Sequence, residues 1–248
     1  MRKVLLVTGG SRGIGAATSI LAAQKGWAVA VNYTSNSQAA DDVVAQIKKA
    51  GGEAMSVQAD VANEEQVLAM FEKVRNTLGP LQGLVNNAGV VDVSARLDQM
   101  SMARWRRMFD INVLGSMLCA REAIRQMSTL HGGQGGSIVN LSSAAARLGA
   151  PGQYLDYAAA KGAIDSFTLG LSKEVAAEGI RVNAIRPGLI DTEIHASGGL
   201  PNRVKDLEHL VPAKRGGTAM EVAHAIVWLL SDDASYTTMS FLDVSGGR

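Results

Sequence analysis

Short apolar runs alternate along the chain with longer stretches in which apolar residues recur every three or four positions. The short runs are typical of strands buried on both faces of a parallel sheet, and the longer stretches are typical of amphipathic helices. Strands are predicted at residues 3–7, 28–33, 53–58, 138–143, 180–185 and 240–244, with another strand that ends within 84–89, and helices at 38–50, 101–127, 219–230 and from 157 onward. This alternation predicts a single α/β domain over residues 1–248. Its fold class is a doubly wound, Rossmann-type parallel sheet of about seven strands with helices on both faces.

Composition and charge exclude several classes of protein. Hydrophobic residues make up 47% of the 248 residues, which is enough for a large core, and the net charge is only +1. A chain this close to neutrality has no strong field to attract nucleic acid or an anionic membrane. Its apolar start is too short for a signal peptide, and no run approaches the ~20 apolar residues of a membrane span. We therefore expect a cytoplasmic protein, whose single cysteine, Cys119, packs in the core.

A glycine-rich turn follows the first predicted strand. Gly9, Gly13 and Gly15 would let a diphosphate approach the amino end of the next helix, where free N–H groups and the helix dipole favour anions. These glycines could serve only the turn, but a strand before them and a helix after them favour nucleotide binding. The spacing differs from Gly-x-Gly-x-x-Gly, which indicates a different subtype of site. The predicted contacts in this turn are Gly9, Ser11, Arg12, Gly13, Ile14 and Gly15.

The end of the second strand bears on the choice of nucleotide. An acidic residue there would bind the 2′-hydroxyl of NAD, but Asn32 and Tyr33 are followed by Thr34 and Ser35. Arg12 is available to pair with a 2′-phosphate, so the chemistry favours NADP(H) over NAD(H). The alternative is that Arg12 is a solvated surface charge. Asn32 and Tyr33 are also predicted cofactor contacts.

Two further strand ends carry candidate nucleotide contacts. Asp60, followed by Val61, could accept a hydrogen bond from the adenine amine or could cap the next helix, and both roles can hold. At the end of the fourth strand, Asn87, Ala88 and Gly89 would allow close approach of a ribose, while the asparagines there tie neighbouring strands together.

The candidate chemistry lies on Tyr157 and Lys161, which are four residues apart and so share one face of a helix. A phenol used as an acid or base near pH 7 needs its pKa moved by up to about three units, and a nearby cation favours the phenolate. Ser143, at the end of the preceding strand, could hold a substrate oxygen against this phenol. The same spacing also arises by chance on amphipathic helices. Asn112, inside an apolar helix face, is either a satisfied core residue or a catalytic one.

The stretch at about 191–217 breaks the alternation and is predicted to be a mobile substrate lid, because it is rich in glycine and proline. His195 in this lid is a candidate substrate contact, although a surface-loop histidine is the alternative. Gln153 and Tyr154, just before the helix of Tyr157, are further candidates. The sequence has no spaced cluster of His, Cys and carboxylates, so no metal is predicted.

Together these motifs resemble the short-chain dehydrogenase/reductase family over essentially the whole chain. They are Thr8-Gly9-x-x-x-Gly13-x-Gly15, Asn86-Asn87-Ala88-Gly89, Asn112, Ser143, Tyr157-x-x-x-Lys161 and Pro187-Gly188, in the family's order and spacing. Residues 147–152, 156–159 and 195–199 are similar to a bacterial subgroup often described as glucose 1-dehydrogenase-like or simply as oxidoreductases.

The resemblance implies a role for each member of a catalytic tetrad. Tyr157 would be the general acid/base, and Lys161 would hold the nicotinamide ribose and lower the pKa of the phenol. Ser143 would orient the carbonyl, and Asn112 would position a water in a proton relay. The resemblance also implies ribose and adenine contacts from Asn87, Ala88, Gly89, Asp60 and Val61, nicotinamide contacts from Pro187, Gly188, Ile190 and Thr192, and a homotetramer packed through helices near 101–127 and 153–178.

The chain departs from the family pattern in two places. The catalytic serine commonly lies thirteen residues before the tyrosine, whereas here Ser143 lies fourteen before Tyr157 and Ser142 fifteen. We interpret Ser143 as the catalytic serine, with a one-residue insertion near 154–156 that reshapes the pocket. Met239 stands where many relatives have glycine, which puts the turn before the last strand in doubt.

The leading hypothesis is an NADP(H)-dependent oxidoreductase that interconverts a carbonyl and a secondary alcohol on a small molecule. A nucleotide-sensing or scaffold protein would have no need of the Tyr157 and Lys161 pair, and an epimerase or dehydratase would need a larger carboxy-terminal region. A 3-oxoacyl carrier-protein reductase is disfavoured because Gln134 and Glu178 replace basic residues that dock the acidic carrier.

Overall fold

The computed structural model describes residues 2–248, apart from the side chain of His195. The strands are β1 (Val4–Val7), β2 (Ala28–Tyr33), β3 (Glu53–Gln58), β4 (Leu81–Asn86), β5 (Gly136–Leu141), β6 (Ile180–Pro187), β7 (Ile190–Asp191), β8 (Gly217–Thr218) and β9 (Phe241–Val244). The helices are α1 (Gly13–Gln24), α2 (Ser37–Lys49), α3 (Glu64–Leu78), α4 (Met102–Phe109), α5 (Gly115–Met127), α6 (Ala145–Leu148), α7 (Leu155–Val175), α8 (Ile194–Ser197), α9 (Arg203–Leu207) and α10 (Ala219–Leu230).

Seven strands form one parallel sheet in the order β3-β2-β1-β4-β5-β6-β9, which confirms the predicted fold class. The central strand β1 pairs with both β2 and β4, so the strand order reverses at β1. In open sheets of this kind, ligands bind at such a reversal, beyond the carboxyl ends of the strands. The fold therefore indicates that a ligand site would be formed by the residues that follow β1, β4 and β5.

Two apolar layers cover the sheet. Leu5 and Leu6, neighbours on β1, enter opposite layers and are both fully buried. One layer contains α1, α2 and α10, and the other contains α3, α5 and α7. Cys119 of α5 is fully buried in the second layer, where burial raises the pKa of its thiol to about 12. The prediction that this cysteine packs in the core is confirmed.

The helix predicted at 101–127 is interrupted. Between α4 and α5 the chain forms a π-helical turn, Asp110–Leu114, with Asn112 at its centre. The Asn112 side chain donates a hydrogen bond to the main-chain oxygen of Met108 at 3.0 Å, a group that a regular helix would use in its own ladder. A side chain that enters the ladder in this way distorts the helix locally.

The predicted lid has secondary structure of its own. Its two ends meet in the short parallel pair of β7 with β8, and α8 and α9 lie between them. Lid motion remains a prediction. Met239, before β9, adopts a left-handed conformation (φ 63°), which costs a residue with a side chain roughly 1–2 kcal/mol. No helix in residues 2–248 is long and apolar enough to cross a membrane.

Candidate active site

The side chains of Tyr157 and Lys161 lie together on one face of α7. The Lys161 Nζ is 5.5 Å from the centre of the Tyr157 ring, which confirms the predicted shared face. Lys161 is 4% exposed, and its ammonium donates a hydrogen bond to the main-chain oxygen of Leu141 at 2.6 Å. Leu141 is the last residue of β5, so this bond fixes the lysine head group at the carboxyl edge of the sheet.

Burial shifts both side chains toward their neutral forms. It raises the pKa of the Tyr157 phenol, and a hydrogen bond with Ser143 only partly opposes the shift. Burial also lowers the pKa of Lys161 to about 8, against the opposing effect of the nearby Asp165 carboxylate. The net shift of the phenol pKa in the protein by itself is therefore upward, because burial outweighs the hydrogen bond with Ser143, and the lowering of this pKa by Lys161 remains a prediction. The phenol is protonated at neutral pH, as a proton donor must be.

The two serines after β5 have different surroundings. Ser143 hydrogen-bonds with the Tyr157 phenol, and its hydroxyl also accepts a hydrogen bond from the Ala145 main chain at 3.1 Å. Ser142 is buried and donates to the main-chain oxygen of Lys161 at 3.3 Å. Ser143 is therefore the serine that faces the Tyr157 phenol.

Asn112 has a fully paired amide. It donates to the main-chain oxygens of Val90 and Met108 and accepts from the Val90 main-chain nitrogen at 3.2 Å. A Cβ added at Gly89 would lie 2.7 Å from the Asn112 oxygen and 3.6 Å from Lys161 Nζ. Asn112 is thus a satisfied buried residue that joins α4 to the chain after β4, close to the lysine. Its part in a proton relay remains a prediction.

The glycine turn is held by two asparagines from other strands. Asn87 donates to the main-chain oxygens of Thr8 and Gly9 at 2.8 and 3.0 Å. Asn32 accepts from the Gly9 main-chain nitrogen at 3.1 Å and donates to the Ala59 main-chain oxygen at 3.0 Å. Asn32 is 1% exposed, so its prediction as a direct cofactor contact is corrected: its side chain is used inside the protein to shape the turn.

The turn fits a nucleotide diphosphate. Gly9 and Gly13 have φ values of 59° and 53°, a conformation that glycine adopts readily. A Cβ at Gly13 would lie 3.2 Å from the Thr192 side chain, so this turn faces the segment after β6. The first turn of α1 carries no acidic residue of its own, and free N–H groups at a helix amino end favour an anion. The Glu193 carboxylate of the lid lies 3.5 Å from a Cβ built at Gly13, so it borders the same turn. Arg12 caps this helix end with an exposed side chain that has no hydrogen-bond or ion-pair partner among residues 2–248.

The residues predicted to contact adenine and ribose differ in burial and in hydrogen bonding. Asp60 accepts a hydrogen bond from the Ala62 main chain at 3.0 Å, whereas Asn63 caps α3. The alternative that Asp60 caps this helix is therefore wrong. Val61 is buried, and the Tyr33 side chain packs partly against the core beside α1 and α2.

A cavity of about 490 Å³ joins the reactive side chains to the nucleotide turn and the lid. Twelve of the predicted site residues line it: Ile14, Asn87, Gly89, Ser143, Gln153, Tyr154, Tyr157, Lys161, Pro187, Gly188, Ile190 and Thr192. Predicted site residues outside its lining are Gly9, Ser11, Arg12, Gly13, Gly15, Asn32, Tyr33, Asp60, Val61, Ala88 and Asn112. The prediction for His195 concerns a side chain outside the described part of the chain. The cavity therefore brings the candidate chemistry and two of three substrate candidates to one place.

Several cavity residues were missed by sequence reasoning. Leu148 lines it from the end of α6 and Val91 from the chain after β4, and Arg203 and Arg248 contribute positively charged side chains. Arg203 donates a hydrogen bond to Gln153 at 2.7 Å and lies 5.1 Å from the centre of the Tyr154 ring. Only the unusual placement of an arginine within a glycine-rich lid could have indicated it. Among the described residues, no group of three or more His, Cys, Asp or Glu side chains could hold a metal.

Comparison with known proteins gives matches over nearly the whole chain. A family described as enoyl-(acyl carrier protein) reductase matches residues 9–248. The uncharacterized oxidoreductase YgfF of Escherichia coli K12 is 55% identical, with 99% of each chain covered. Glucose 1-dehydrogenase 2 of Bacillus subtilis 168 is 38% identical, with 99% of this chain and 94% of that protein covered. The crystal structure of a dehydrogenase/reductase from Sinorhizobium meliloti 1021 is 30% identical, covers 99% of this chain and 94% of its own, and superposes with a TM-score of 0.91.

Proposed function

The chain belongs to the short-chain dehydrogenase/reductase family, and we propose that it interconverts a carbonyl and a secondary alcohol on a small molecule with NADP(H). As an oxidoreductase of this family it uses a nicotinamide cofactor. One observation carries the proposal: the Tyr157 phenol, the Ser143 hydroxyl and the Lys161 ammonium line one cavity, directly beside a glycine turn that fits a diphosphate.

Each of the three side chains has a defined task in the direction of reduction. Ser143 donates a hydrogen bond to the carbonyl oxygen and holds it against Tyr157. A nicotinamide cofactor, when bound, would supply the hydride for the carbonyl carbon. Tyr157 gives its phenolic proton to the carbonyl oxygen, so the product is the alcohol. The raised pKa of the phenol keeps this proton in place at neutral pH.

Lys161 acts on the phenolate that remains after proton transfer. Its ammonium, 5.5 Å from the ring centre, stabilises that negative charge and is fixed by its bond to Leu141. Lys161 also holds the nicotinamide ribose. Asn112, whose amide oxygen lies near the lysine across Gly89, positions a water through which a proton returns to Tyr157.

The preference for NADP(H) over NAD(H) is supported by Arg12. Its exposed guanidinium stands at the amino end of α1 without an acidic partner among residues 2–248, and the end of β2 offers Thr34 and Ser35 in place of an acid. A 2′-phosphate would give Arg12 a charged partner. On the same side of the site, Asp60 would accept a hydrogen bond from the adenine amine.

We also propose a cytoplasmic homotetramer whose lid, at about 191–217, closes over the substrate. The helices expected at the subunit interfaces expose large apolar side chains, including Leu114 and Met117 on one and Leu169 on the other. Burial of such side chains between subunits is favourable. Light scattering coupled to size exclusion would test the assembly, and a monomer at micromolar concentration would contradict it.

The proposed reaction is tested with Tyr157→Phe. The wild-type protein should oxidise NADPH in the presence of members of a broad carbonyl panel, and Y157F should lose about three orders of magnitude in kcat/KM because it has no proton to give. Tyr236→Phe, which alters a fully exposed tyrosine, is the matched control and should retain full activity. NADPH binding, followed by its fluorescence, should be the same in all three proteins.

Two results would count against this reaction. Undiminished turnover by Y157F would remove the phenol from the chemistry. Tight NADPH binding by the wild-type protein with no turnover of any carbonyl would instead favour a nucleotide-sensing or scaffold protein on the same fold.

A further inference from the structure

Arg203 brings a positive charge from the lid to the wall of the active-site cavity. It begins α9, is half-buried, and its guanidinium donates to the Gln153 side chain at 2.7 Å. The guanidinium also lies 5.1 Å from the centre of the Tyr154 ring. Both partners immediately precede α7, the helix that carries Tyr157. The cation is therefore held in a defined position on the same cavity as the proposed acid.

The cavity provides no counter-ion for this cation. The charged side chains that line it, within the described part of the chain, are those of Lys161, Arg203 and Arg248, with no Asp or Glu side chain among them. Other arginines of residues 2–248, such as Arg147 and Arg215, are paired with carboxylates. No carboxylate of the described residues lies within ion-pair distance of Arg203. No Asp or Glu side chain of the cavity lining thus offsets the charge of Arg203.

The contacts made by Arg203 leave most of its donors available. A guanidinium has five N–H donors, and only one is used in a hydrogen bond with Gln153. Gln153 and the Tyr154 ring orient the planar group, which reduces the freedom that a ligand would otherwise have to remove. Such a fork matches a planar carboxylate in a bidentate arrangement.

We propose that Arg203, oriented by Gln153 and Tyr154, binds a carboxylate of the substrate. The substrates are then small oxo acids and hydroxy acids, in which the carboxylate anchors on Arg203 and the reacting carbon lies at Tyr157. This inference rests on the proposed oxidoreductase function and adds the substrate class to it. A mostly apolar wall, including Leu148 and Val91, accommodates the carbon chain between the two ends.

The proposal is tested with pairs of probes that differ only in charge. The probes are 4-oxopentanoate, 5-oxohexanoate and 3-acetylbenzoate, each beside its own carboxamide, with dihydroxyacetone phosphate as a phosphate-bearing probe. The wild-type enzyme should prefer at least one acid over its amide by tenfold or more in kcat/KM. Arg203→Gln should reduce kcat/KM for that acid at least tenfold, mainly through KM, and leave the amide within twofold. Arg203→Lys should recover part of the preference.

Lys205→Gln is the matched control, because it removes the same charge from an exposed side chain two residues away on α9. It should leave the preference unchanged. A binding measurement without turnover accompanies the kinetics, because the oxidised cofactor cannot reduce a ketone. Calorimetric titration of the NADP⁺-loaded enzyme with 3-acetylbenzoate should show affinity in the wild type and in K205Q and at least a tenfold loss in R203Q.

The outcomes separate this inference from the proposed function. Turnover of the amides with no preference for the acids, or an R203Q that raises only the KM for NADPH, would overturn the carboxylate site while the reductase function stood. A preference for the phosphate probe over every acid would also overturn it. Absence of turnover for every carbonyl would contradict the proposed function, and Arg203 would then be judged by the calorimetric titration alone, where equal binding by wild type and R203Q would overturn the site.

Discussion

The ammonium of Lys161 lies 5.5 Å from the centre of the Tyr157 ring, with little access to water. Its partners, the Leu141 main-chain oxygen and the more distant Asp165 carboxylate, do not replace the hydration it loses. The position proposed for Lys161 in catalysis therefore carries a cost in stability. Such costs are expected at functional sites, where a charge is placed for chemistry and the surrounding fold must compensate.

This cost predicts a pH-dependent stability. The pKa of Lys161 is about 8 in the folded protein against 10.5 for an unperturbed lysine, so the unfolded chain binds more protons between these values. The penalty is complete below pH 8 and disappears as the pH rises toward 10.5. The free energy of unfolding of the wild type minus that of Lys161→Met should thus rise on the order of 2 kcal/mol between pH 7.5 and 10.

Urea unfolding of the cofactor-free proteins at several pH values would measure this difference. Lys173→Met, on the exposed side of the same helix, is the control and should give a difference that does not vary with pH. A flat profile for K161M as well would show that Lys161 is not shifted by burial.

Replacing each of the two serines after β5 should have a different effect, one on kcat and the other on stability. Ser143→Ala removes the hydroxyl that bonds to the Tyr157 phenol, so kcat should fall about 10²-fold with little change in NADPH binding. Ser142→Ala removes a bond to the Lys161 main chain and should act mainly on stability, by about 1 kcal/mol. Steady-state kinetics and urea unfolding of both variants check this. A larger loss of kcat in S142A than in S143A would identify Ser142 as the catalytic serine.

Much of the fold could be predicted because its signals are local. The bounds of β2, β3 and α10 agree with the apolar runs and the helical period in the sequence. The shared face of Tyr157 and Lys161 likewise follows from a spacing of four residues within one helix. Features that depend on a single helix or strand could therefore be predicted from the sequence.

The remaining features depend on residues that are distant in the sequence. The π-helical turn around Asn112 requires the Val90 main chain, which arrives from the end of β4. The role of Asn32 depends on the hydrogen bond that its side chain accepts from the Gly9 main chain, which belongs to a different segment. The position of Arg203 depends on how the lid folds back onto Gln153. Pattern reasoning within one segment cannot supply such contacts between segments.

The charge of Arg12 should determine the preference for NADPH over NADH. Arg12→Gln should raise the KM for NADPH about tenfold, because a charge-assisted pair with the 2′-phosphate contributes roughly 1.5 kcal/mol, and should leave the KM for NADH unchanged. Steady-state kinetics with both cofactors measures the effect. Lys25→Gln, which removes an exposed charge at the other end of α1, should alter neither value. Equal effects of R12Q on both cofactors would indicate that Arg12 contacts a group common to the two.

The start of α7 is fixed by a buried ion pair. Arg104 of α4 contacts both carboxylate oxygens of Asp156, at 2.7 and 3.1 Å, and donates to the Val93 main chain. The Arg104 and Asp156 side chains are only 9% and 2% exposed. Asp156 directly precedes Tyr157 and also accepts a hydrogen bond from its main-chain nitrogen at 3.0 Å. The pair thus joins α4 to the residue that precedes the proposed acid.

Removal of one partner should be far more harmful than removal of both. Arg104→Met leaves the Asp156 charge buried and unpaired, so the free energy of unfolding should fall by about 3–5 kcal/mol. The double variant R104M/D156M buries no charge and should be more stable than R104M alone, because the cost of removing both ions from water disappears. Urea unfolding of the wild type, both single variants and the double variant measures the coupling. If the double variant lost the sum of the two single effects, the side chains would contribute independently and the ion pair would not hold the start of α7.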